Sequence, residues 1–531
     1  MKPLHYPNPS IRHAVYAANG MVATSQHLAA QAGLDIIKQG GNAIDAAVAT
    51  AACLTVVEPT SNGIGGDAFA LVWSKGKLHA LNGSGSAPKN ITIDAVKAAG
   101  HKTMPIFGVF PITTPGAVGV WAELLKELGT FTLPQCLAPA IEYAQRGYPL
   151  SPALGNGWGR AFARFKDIFK GEQYENWFTT FAPDGKAPGI GEIWNSPDHA
   201  KTLQEIGETN GESFYRGSLA EKMADFVQKH GGYLTKEDLA GYSPEWVQPI
   251  SINYKGYDIW EMPPNGQGVV ALLALGAMRD FPYENSIKYL HKQIEAMKLS
   301  FATGKATITD SKFMKYSCQE LLNPEFLKEI AAAIEPVATM PKELTPNKGG
   351  TVYLTTADGQ GNMVSFIQSN YMGFGCGLVV PGTGISIQNR GCDFSLDPHH
   401  INALAGGKRT YHTIIPGFIT KDDSPVASFG VMGGYMQPQG HLQVVSGLID
   451  QELNPQAALD APRWRWVSDN HIEVEHSFPK STAKELVALG HRVTVALDST
   501  DFGRGQIIMR SNNGTLVGGC EPRTDSAVAC W

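Results

Sequence analysis

Gly349-Gly350-Thr351-Val352-Tyr353-Leu354 places a threonine behind two glycines, at the head of an alternating strand-like run deep inside the chain. Cleavage of the Gly350–Thr351 bond would leave Thr351 with a hydroxyl nucleophile and a free α-amino group. One residue would then carry its own general base. An α-amino group titrates near ~8, so part of it is an unprotonated base at neutral pH. The glycines give the backbone the freedom to bring the bond within reach of the hydroxyl. From these six residues alone, a Gly-Gly turn into an ordinary strand reads the same way.

A second constellation is Gly433-Gly434, just ahead of a helical segment. Two successive backbone N–H groups near a helix start can both face a developing oxyanion. Losing one such donor typically costs ~10²–10³ in rate. Gly-Gly before a helix is also the signature of a plain loop.

The elements that must position these residues change character along the chain. The first third reads as helices, Ser25–Lys38 and Asn42–Val56, separated by Gly40-Gly41 and followed by a hairpin of Phe69–Ser74 and Lys77–Asn82 around Lys75-Gly76. From about Pro115 to Pro336 the pattern is mostly helical, without a repeat period. Past Thr351, consecutive strands are expected at Thr351–Ala357, Met363–Gln368, Gly384–Gln388, Thr413–Thr420 and Pro425–Val431. Helices at Gln439–Ile449 and Pro455–Ala461, strand His471–Glu475, helix Ser481–Leu489, strand Arg492–Leu497 and a hairpin around Ser511–Gly514 follow. Strands flanked by helices on both sides predict stacked layers, helix on sheet on sheet on helix.

Composition bounds the function. The chain has 531 residues, 43% hydrophobic and 17% charged, which predicts a large globular core. Net charge is −6, pI is near 6.2 and no Lys/Arg block stands out, so no nucleic-acid partner is expected. The N-terminus lacks the apolar stretch of a secretory signal, and Ala46–Val57 and Val269–Met278 are too short to span a bilayer. The seven cysteines are scattered without CxxC spacing, against a disulfide framework or a zinc site. These features predict a cytoplasmic protein without membrane attachment. His399-His400 lacks a carboxylate at ligand spacing, and no metal or cofactor is expected. Gly63–Asp67 and Asn265-Gly266-Gln267-Gly268 lack the lysine of a phosphate loop and read as turns. No GxSxG elbow is present.

Several stretches together carry a resemblance. Gly40–Ala49 with Val57-Glu58-Pro59 and Gly63–Asp67, then Thr113–Val118, Asp460-Ala461-Pro462-Arg463 and Glu521–Asp525, resemble the signatures of the gamma-glutamyltransferase family of N-terminal-nucleophile hydrolase proenzymes. The resemblance runs nearly end to end. It implies an α+β fold, a four-layer αββα sandwich built from both halves of an autocleaved chain. It further implies a large segment 1–350 and a small segment 351–531 that stay associated after cleavage, with a homo-oligomer of that pair left open. Thr351 then falls on the nucleophile, Ser369 on the family's second hydroxyl, Gly433 and Gly434 on its oxyanion glycines, and Asp393 on the aspartate that holds a substrate α-ammonium.

The departures lie in the substrate pocket. The family's carboxylate-gripping arginine aligns near Ile93, and Ser86–Lys97 holds no arginine. Tyr371 replaces an asparagine, Arg390 a glutamine, and His412-Thr413 a serine pair. This is closer to the gamma-glutamyltransferase-like branch, which includes cephalosporin-acylase-like proteins and oxamate amidohydrolase. Tyr371, Arg390, Asp393, His412 and Thr413 are therefore the expected substrate-binding residues, and Arg390 is a candidate carboxylate clamp as well as a candidate structural arginine. The expected activity is hydrolysis or acyl transfer on a small carboxylated amide, a γ-glutamyl compound such as glutathione or an oxamate-type amide. The alternatives are a cephalosporin-acylase-like amidase and an unprocessed member serving as a binding module.

Overall fold

The computed structural model describes residues 7–8, 12–341 and 350–531. Gly349 lies outside them, whereas Gly350 and Thr351 lie within. Two seven-stranded sheets form the centre. The first runs Val15–Ala17, Leu516–Cys520, Arg504–Arg510, Ser424–Met432, Gly417–Lys421, Tyr257–Glu261, Ile250–Tyr254. The second runs Ala527–Cys530, Gly20–Thr24, Gly350–Asp358, Met363–Tyr371, Asp67–Ser74, Lys77–Asn82, Glu245–Val247. Both sheets draw strands from either side of Gly350–Thr351.

The period-2 alternation of side chains sorts each strand between layers. In strand Gly350–Asp358, Val352 and Leu354 join the core under helices Ala43–Val57 and Leu133–Arg146. Tyr353 and Ala357 point the other way, into the apolar seam between the sheets with Phe69, Ile367, Phe418 and Ile508. On the opposite side, Phe429, Val431 and Ile507 pack under helices Gly268–Met278, Ile287–Thr307 and Met436–Ile449. The expected order of helix, sheet, sheet, helix is the architecture of the chain.

The glycine-rich signatures are structural devices. Asn42 caps helix Ala43–Val57, accepting from the N–H groups of Ile44 and Asp45, while Asp45 accepts from the N–H of Asn42. That helix is buried all round, so its signature of alanines is a packing requirement. Asp358 accepts from the N–H groups of Gln360 (2.9 Å) and Asn362 (3.0 Å) and from that of Ala43 (2.9 Å), tying the hairpin after the threonine strand to the same helix.

Four expectations need correction. Gly384–Gln388 forms no strand; Gly384 has φ +69, and the segment contributes only isolated bridges such as Gly65 with Ile387. Thr413–Thr420 is strand only from Gly417, because Pro416 supplies no ladder N–H. The middle segment, expected as helices and loops, also contains Glu245–Val247, Ile250–Tyr254 and Tyr257–Glu261, which close one edge of each sheet. Gly20–Thr24 and Ala527–Cys530 were not expected as strands and pair with each other beside the threonine strand.

The late signatures meet in a buried ionic knot. Arg463 Nη2 reaches Glu521 at 2.9 Å, and Arg523 reaches Glu521 at 2.6 Å and Glu475 at 2.5 Å. Burial alone would raise the carboxyl of Glu521, but Arg463 and Arg523 hold it below its usual range. Asp525 accepts from the N–H groups of Ala153 and Leu154, each at 3.0 Å, capping helix Pro152–Ile168 from the far end of the chain. Glu521→Ala leaves Arg463 without its carboxylate and Arg523 with Glu475 alone, and is expected to cost about 3–5 kcal/mol. The exposed Arg160–Asp498 pair, at 3.3 Å, should lose under about 1 kcal/mol on Arg160→Ala. Urea unfolding midpoints of the two variants check the contrast.

Candidate active site

Thr351 sits at a bulge. The ladder between its strand and Met363–Tyr371 pairs Gly350 with Tyr371 and Val352 with Gln368, leaving an irregular step at the threonine. Thr351 and Ser369 are fully buried. Thr351 Oγ1 is 3.1 Å from Ser369 Oγ, and Ser369 Oγ is 2.8 Å from the carbonyl oxygen of Gly350. The N–H of Tyr371 donates to Ser369 Oγ at 2.8 Å. A serine hydroxyl has one proton and two lone pairs. With that proton on the Gly350 carbonyl and one lone pair taken by Tyr371, the second lone pair accepts from Thr351. Thr351 Oγ1 thereby keeps its own lone pairs for the adjoining carbonyl carbon.

Gly433 and Gly434 adopt φ +137 and +59, backbone that other residues resist, between strand Ser424–Met432 and helix Met436–Ile449. The ladder of that strand ends at Met432 with Arg504, so the N–H groups of the pair fall beyond it. Gln267 fixes the pair from behind: its Nε2 donates to the carbonyls of Gly434 (3.0 Å) and Thr413 (2.6 Å), and Tyr411 donates to its Oε1 (3.1 Å). The Asn265–Gly268 turn therefore carries a positioning residue that the sequence reading passed over. A buried glutamine at the head of the wholly apolar helix Gly268–Met278 was the signal for it.

A cavity of about 710 Å³ lies over this point, lined by Gly350, Gly373, Gly433 and Tyr435 with Glu58 and Arg504 on its wall. A second, of about 610 Å³, is lined by Lys305, Cys392, Asp393 and Tyr411. Ile106 and Phe107 line both. Tyr435, directly after the glycine pair, lies against the first cavity while its hydroxyl approaches Asp393 at 3.5 Å. Tyr435 and Lys305 were not foreseen. An aromatic residue after Gly-Gly was visible in the sequence, but the lysine was not, being one more cation in a helix's last turn.

The expected pocket residues divide. Asp393 lines the second cavity, its Oδ1 accepting from Tyr371 OH at 2.8 Å. Arg390 lines neither cavity. It is buried behind Asp393, 3.5 Å from Oδ2, with its guanidinium 3.8 Å from the Tyr371 ring centre and Nη1 donating to Thr413 Oγ1 at 2.8 Å. His412 also turns away, its Nε2 3.1 Å from Asp67 Oδ2. Burial, then Arg390 and Arg409, keeps the imidazole well below its ordinary pKa, and burial lifts Asp67 to about 7. The contact is a hydrogen bond of a neutral imidazole rather than an ion pair. Ile93, where the family arginine aligns, packs on the apolar cluster of Met104 and Phe394.

Among the described residues, His291, Glu295 and His491 bring ligand-type atoms within 4.8 Å of one another. His291 Nδ1 and His491 Nε2 are already hydrogen-bonded at 2.8 Å, and the Lys298 ammonium sits 2.7 Å from Glu295. That lysine occupies the cation's place, and the group lies outside both cavities.

The comparisons with known proteins agree with this geometry. The family model described as Gamma-glutamyltranspeptidase matches residues 29–531. The chain is 36% identical over 527 residues to the glutathione hydrolase-like YwrD proenzyme of Bacillus subtilis (strain 168), covering 97% of this chain and 99% of that protein. It is 34% identical over 528 residues to the oxamate amidohydrolase proenzyme of Klebsiella pneumoniae subsp. pneumoniae, with 97% and 98% covered. The crystal structure of cephalosporin acylase from Bacillus halodurans superposes with a TM-score of 0.96 at 60% identity, over 100% of this chain and 99% of that one. This chain belongs to the gamma-glutamyltranspeptidase family and is an amidohydrolase or acyltransferase of that family.

Proposed function

We propose that this protein is an N-terminal-threonine amidohydrolase that cuts its own Gly350–Thr351 bond, giving segments 1–350 and 351–531. The observation that carries the reading is Ser369 Oγ at 2.8 Å from the Gly350 carbonyl oxygen and 3.1 Å from Thr351 Oγ1. Thr351 Oγ adds to the Gly350 carbonyl carbon, its proton passing to Ser369 as Ser369 protonates the carbonyl oxygen. Collapse breaks the bond to the Thr351 nitrogen, which takes the proton of the intermediate's hydroxyl and becomes the free amine, and leaves an ester that water hydrolyses to the Gly350 carboxylate and the Thr351 hydroxyl. In the mature site that amine takes the hydroxyl proton as Thr351 Oγ attacks a substrate amide. Gly433 and Gly434 donate to the oxyanion, the amine protonates the leaving nitrogen, and water or an acceptor amine resolves the acyl ester. A role as a non-catalytic binding module is opposed by a hydroxyl pair set on a scissile-type carbonyl.

The substrate class we favour is a small amide whose acyl part carries a carboxylate. Support comes from the named relatives, one a glutathione hydrolase-like and one an oxamate amidohydrolase proenzyme, while the absence of an arginine near Ile93 counts against a γ-glutamyl α-carboxylate. A cephalosporin-acylase-type amidase is the second reading, supported by the 60% identical structure.

Thr351→Ala is expected to stay at full length and to be inactive, whereas Thr351→Ser should keep part of both activities, since only the rotamer-restricting methyl is lost. Intact-mass measurement over a long incubation reads this, and an alanine variant that matures at the normal rate would reject Thr351 as nucleophile. Ser369→Ala should slow maturation by about 10²- to 10³-fold, the effect of one lost carbonyl donor. Glutathione should be turned over at least about 30-fold less efficiently in kcat/KM than the best carboxylated amide, because the carboxylate-gripping arginine is gone. A panel of amides assayed for released amine or ammonia gives the ranking.

A further inference from the structure

Lys305 ends helix Ile287–Thr307 and delivers its ammonium into the second cavity. It is held between two rings, 4.3 Å from the centre of Tyr411 and 4.0 Å from that of Tyr435, and donates to Tyr435 OH. Tyr435 follows the oxyanion glycines directly, so the ammonium stands one tyrosine side chain from the point where the acyl carbonyl would lie. No carboxylate forms an ion pair with it within 4 Å among the described residues. Asp393, the acid of the same cavity, is half engaged: Oδ1 accepts from Tyr371 at 2.8 Å, while Oδ2 has no hydrogen-bond partner and faces Arg390 at 3.5 Å. One carboxylate and two cations leave this corner net positive. Arg390 Nε and Nη2 have no hydrogen-bond partners. A substrate ammonium here would find only Asp393 Oδ2 to accept it and would meet two like charges. An anion meets a partly desolvated ammonium whose other contacts are neutral rings.

We propose that Lys305 is the anchor for the acyl donor's anionic group, which enters the second cavity, and that the preferred donor carries no α-ammonium. The proposal rests on the reading of Thr351 as nucleophile only for what is turned over; the anchor itself is a binding site. Burial lowers the Lys305 ammonium to about 8, with Asp393 opposing the shift. The groups facing it are Asp393, Tyr411 and Tyr435, with Cys392 and His400 on the same cavity wall. Burial pushes the two phenols and the Cys392 thiol well above their ordinary values, so they stay neutral as the lysine titrates. A folded-state pKa near 8 means the anchor is charged below that pH and lost as pH rises through it.

The test uses three matched primary amides: glutaramate, its methyl ester, and L-glutamine, which differs from glutaramate only by the α-ammonium. Ammonia release should favour glutaramate over both by about 10- to 100-fold in kcat/KM. Lys305→Met should erase the preference over the ester, and Lys305→Arg should restore part of it. Equal turnover of glutamine and glutaramate, or an acid-to-ester ratio unmoved by Lys305→Met, overturns the proposal. Calorimetric titration with glutarate, which needs no turnover, separates anchor from nucleophile. Its affinity should fall about 10- to 100-fold in Lys305→Met and decline as pH rises through about 8 in the wild type. Glutarate binding lost in Lys305→Met without turnover of any amide supports the anchor and rejects the catalytic reading; binding unchanged in Lys305→Met rejects the anchor.

Discussion

The hydroxyl of Ser369 is the contact on which the site depends. It lies on the Gly350 carbonyl while its remaining positions are filled by the Tyr371 N–H and Thr351. A buried hydroxyl with every valence assigned cannot rotate without stranding a partner. Its alignment is therefore set by the ladder between the two strands that carry Thr351 and Ser369, and the bulge between Gly350 and Val352 offsets the threonine from regular pairing. Regular pairing would commit both its backbone groups to the ladder; the irregular step leaves its peptide bond presented to a side chain instead.

Such precision at a strand end requires that the strand not move. Gly350–Asp358 lies inside its sheet, paired on one side with Met363–Tyr371 and on the other with Gly20–Thr24. Its two faces are sealed by different cores, helices on one side and the second sheet on the other. Because both sheets interleave strands from before and after residue 350, a cut at Gly350–Thr351 severs no layer from another. The buried Arg463–Glu521–Arg523–Glu475 knot adds to this. Arg463 Nη1 donates to the carbonyls of Phe502 (3.0 Å) and Gly503 (2.9 Å), and a Cβ on Gly433 would meet Gly503 at 3.2 Å, so the knot braces the loop packed against the Gly433-Gly434 pair.

Much of this was legible in the sequence where the physics is local. The threonine strand and its hairpin announce themselves by alternation and by Asp358-Gly359-Gln360-Gly361-Asn362, whose aspartate makes the turn's hydrogen bonds itself. The four layers followed from helices on either side of a run of strands. What escaped notice has non-local causes. Gly20–Thr24 is buried along its whole length and shows no polar face to mark its period. Gln267 matters because it reaches a carbonyl 167 positions away. Lys305 looks like any cation complementing a helix C-terminus, and only the fold brings Tyr411 and Tyr435 around it.

The pocket substitutions make physical sense only as a set. Tyr371 sits at φ +71, backbone that asparagine tolerates and a bulky ring does not, so the tyrosine carries a conformational cost of order 1–3 kcal/mol. Two contacts offset it: its hydroxyl on Asp393 and its face under the Arg390 guanidinium. Arg390 in turn needs that ring, because a buried guanidinium without Tyr371, Thr413 and Asp393 around it would be an uncompensated charge. Asp393 holds Tyr371 on Oδ1 and turns Oδ2, which has no hydrogen-bond partner, toward the Arg390 guanidinium at 3.5 Å. Reverting Tyr371 or Arg390 alone would leave the other without its ring–guanidinium contact, whereas exchanging the two together changes the charge beside Asp393. A chain that makes this exchange while keeping Thr351, Ser369 and the glycine pair has kept the residues expected to form and break an amide bond and changed the corner expected to choose the acyl group.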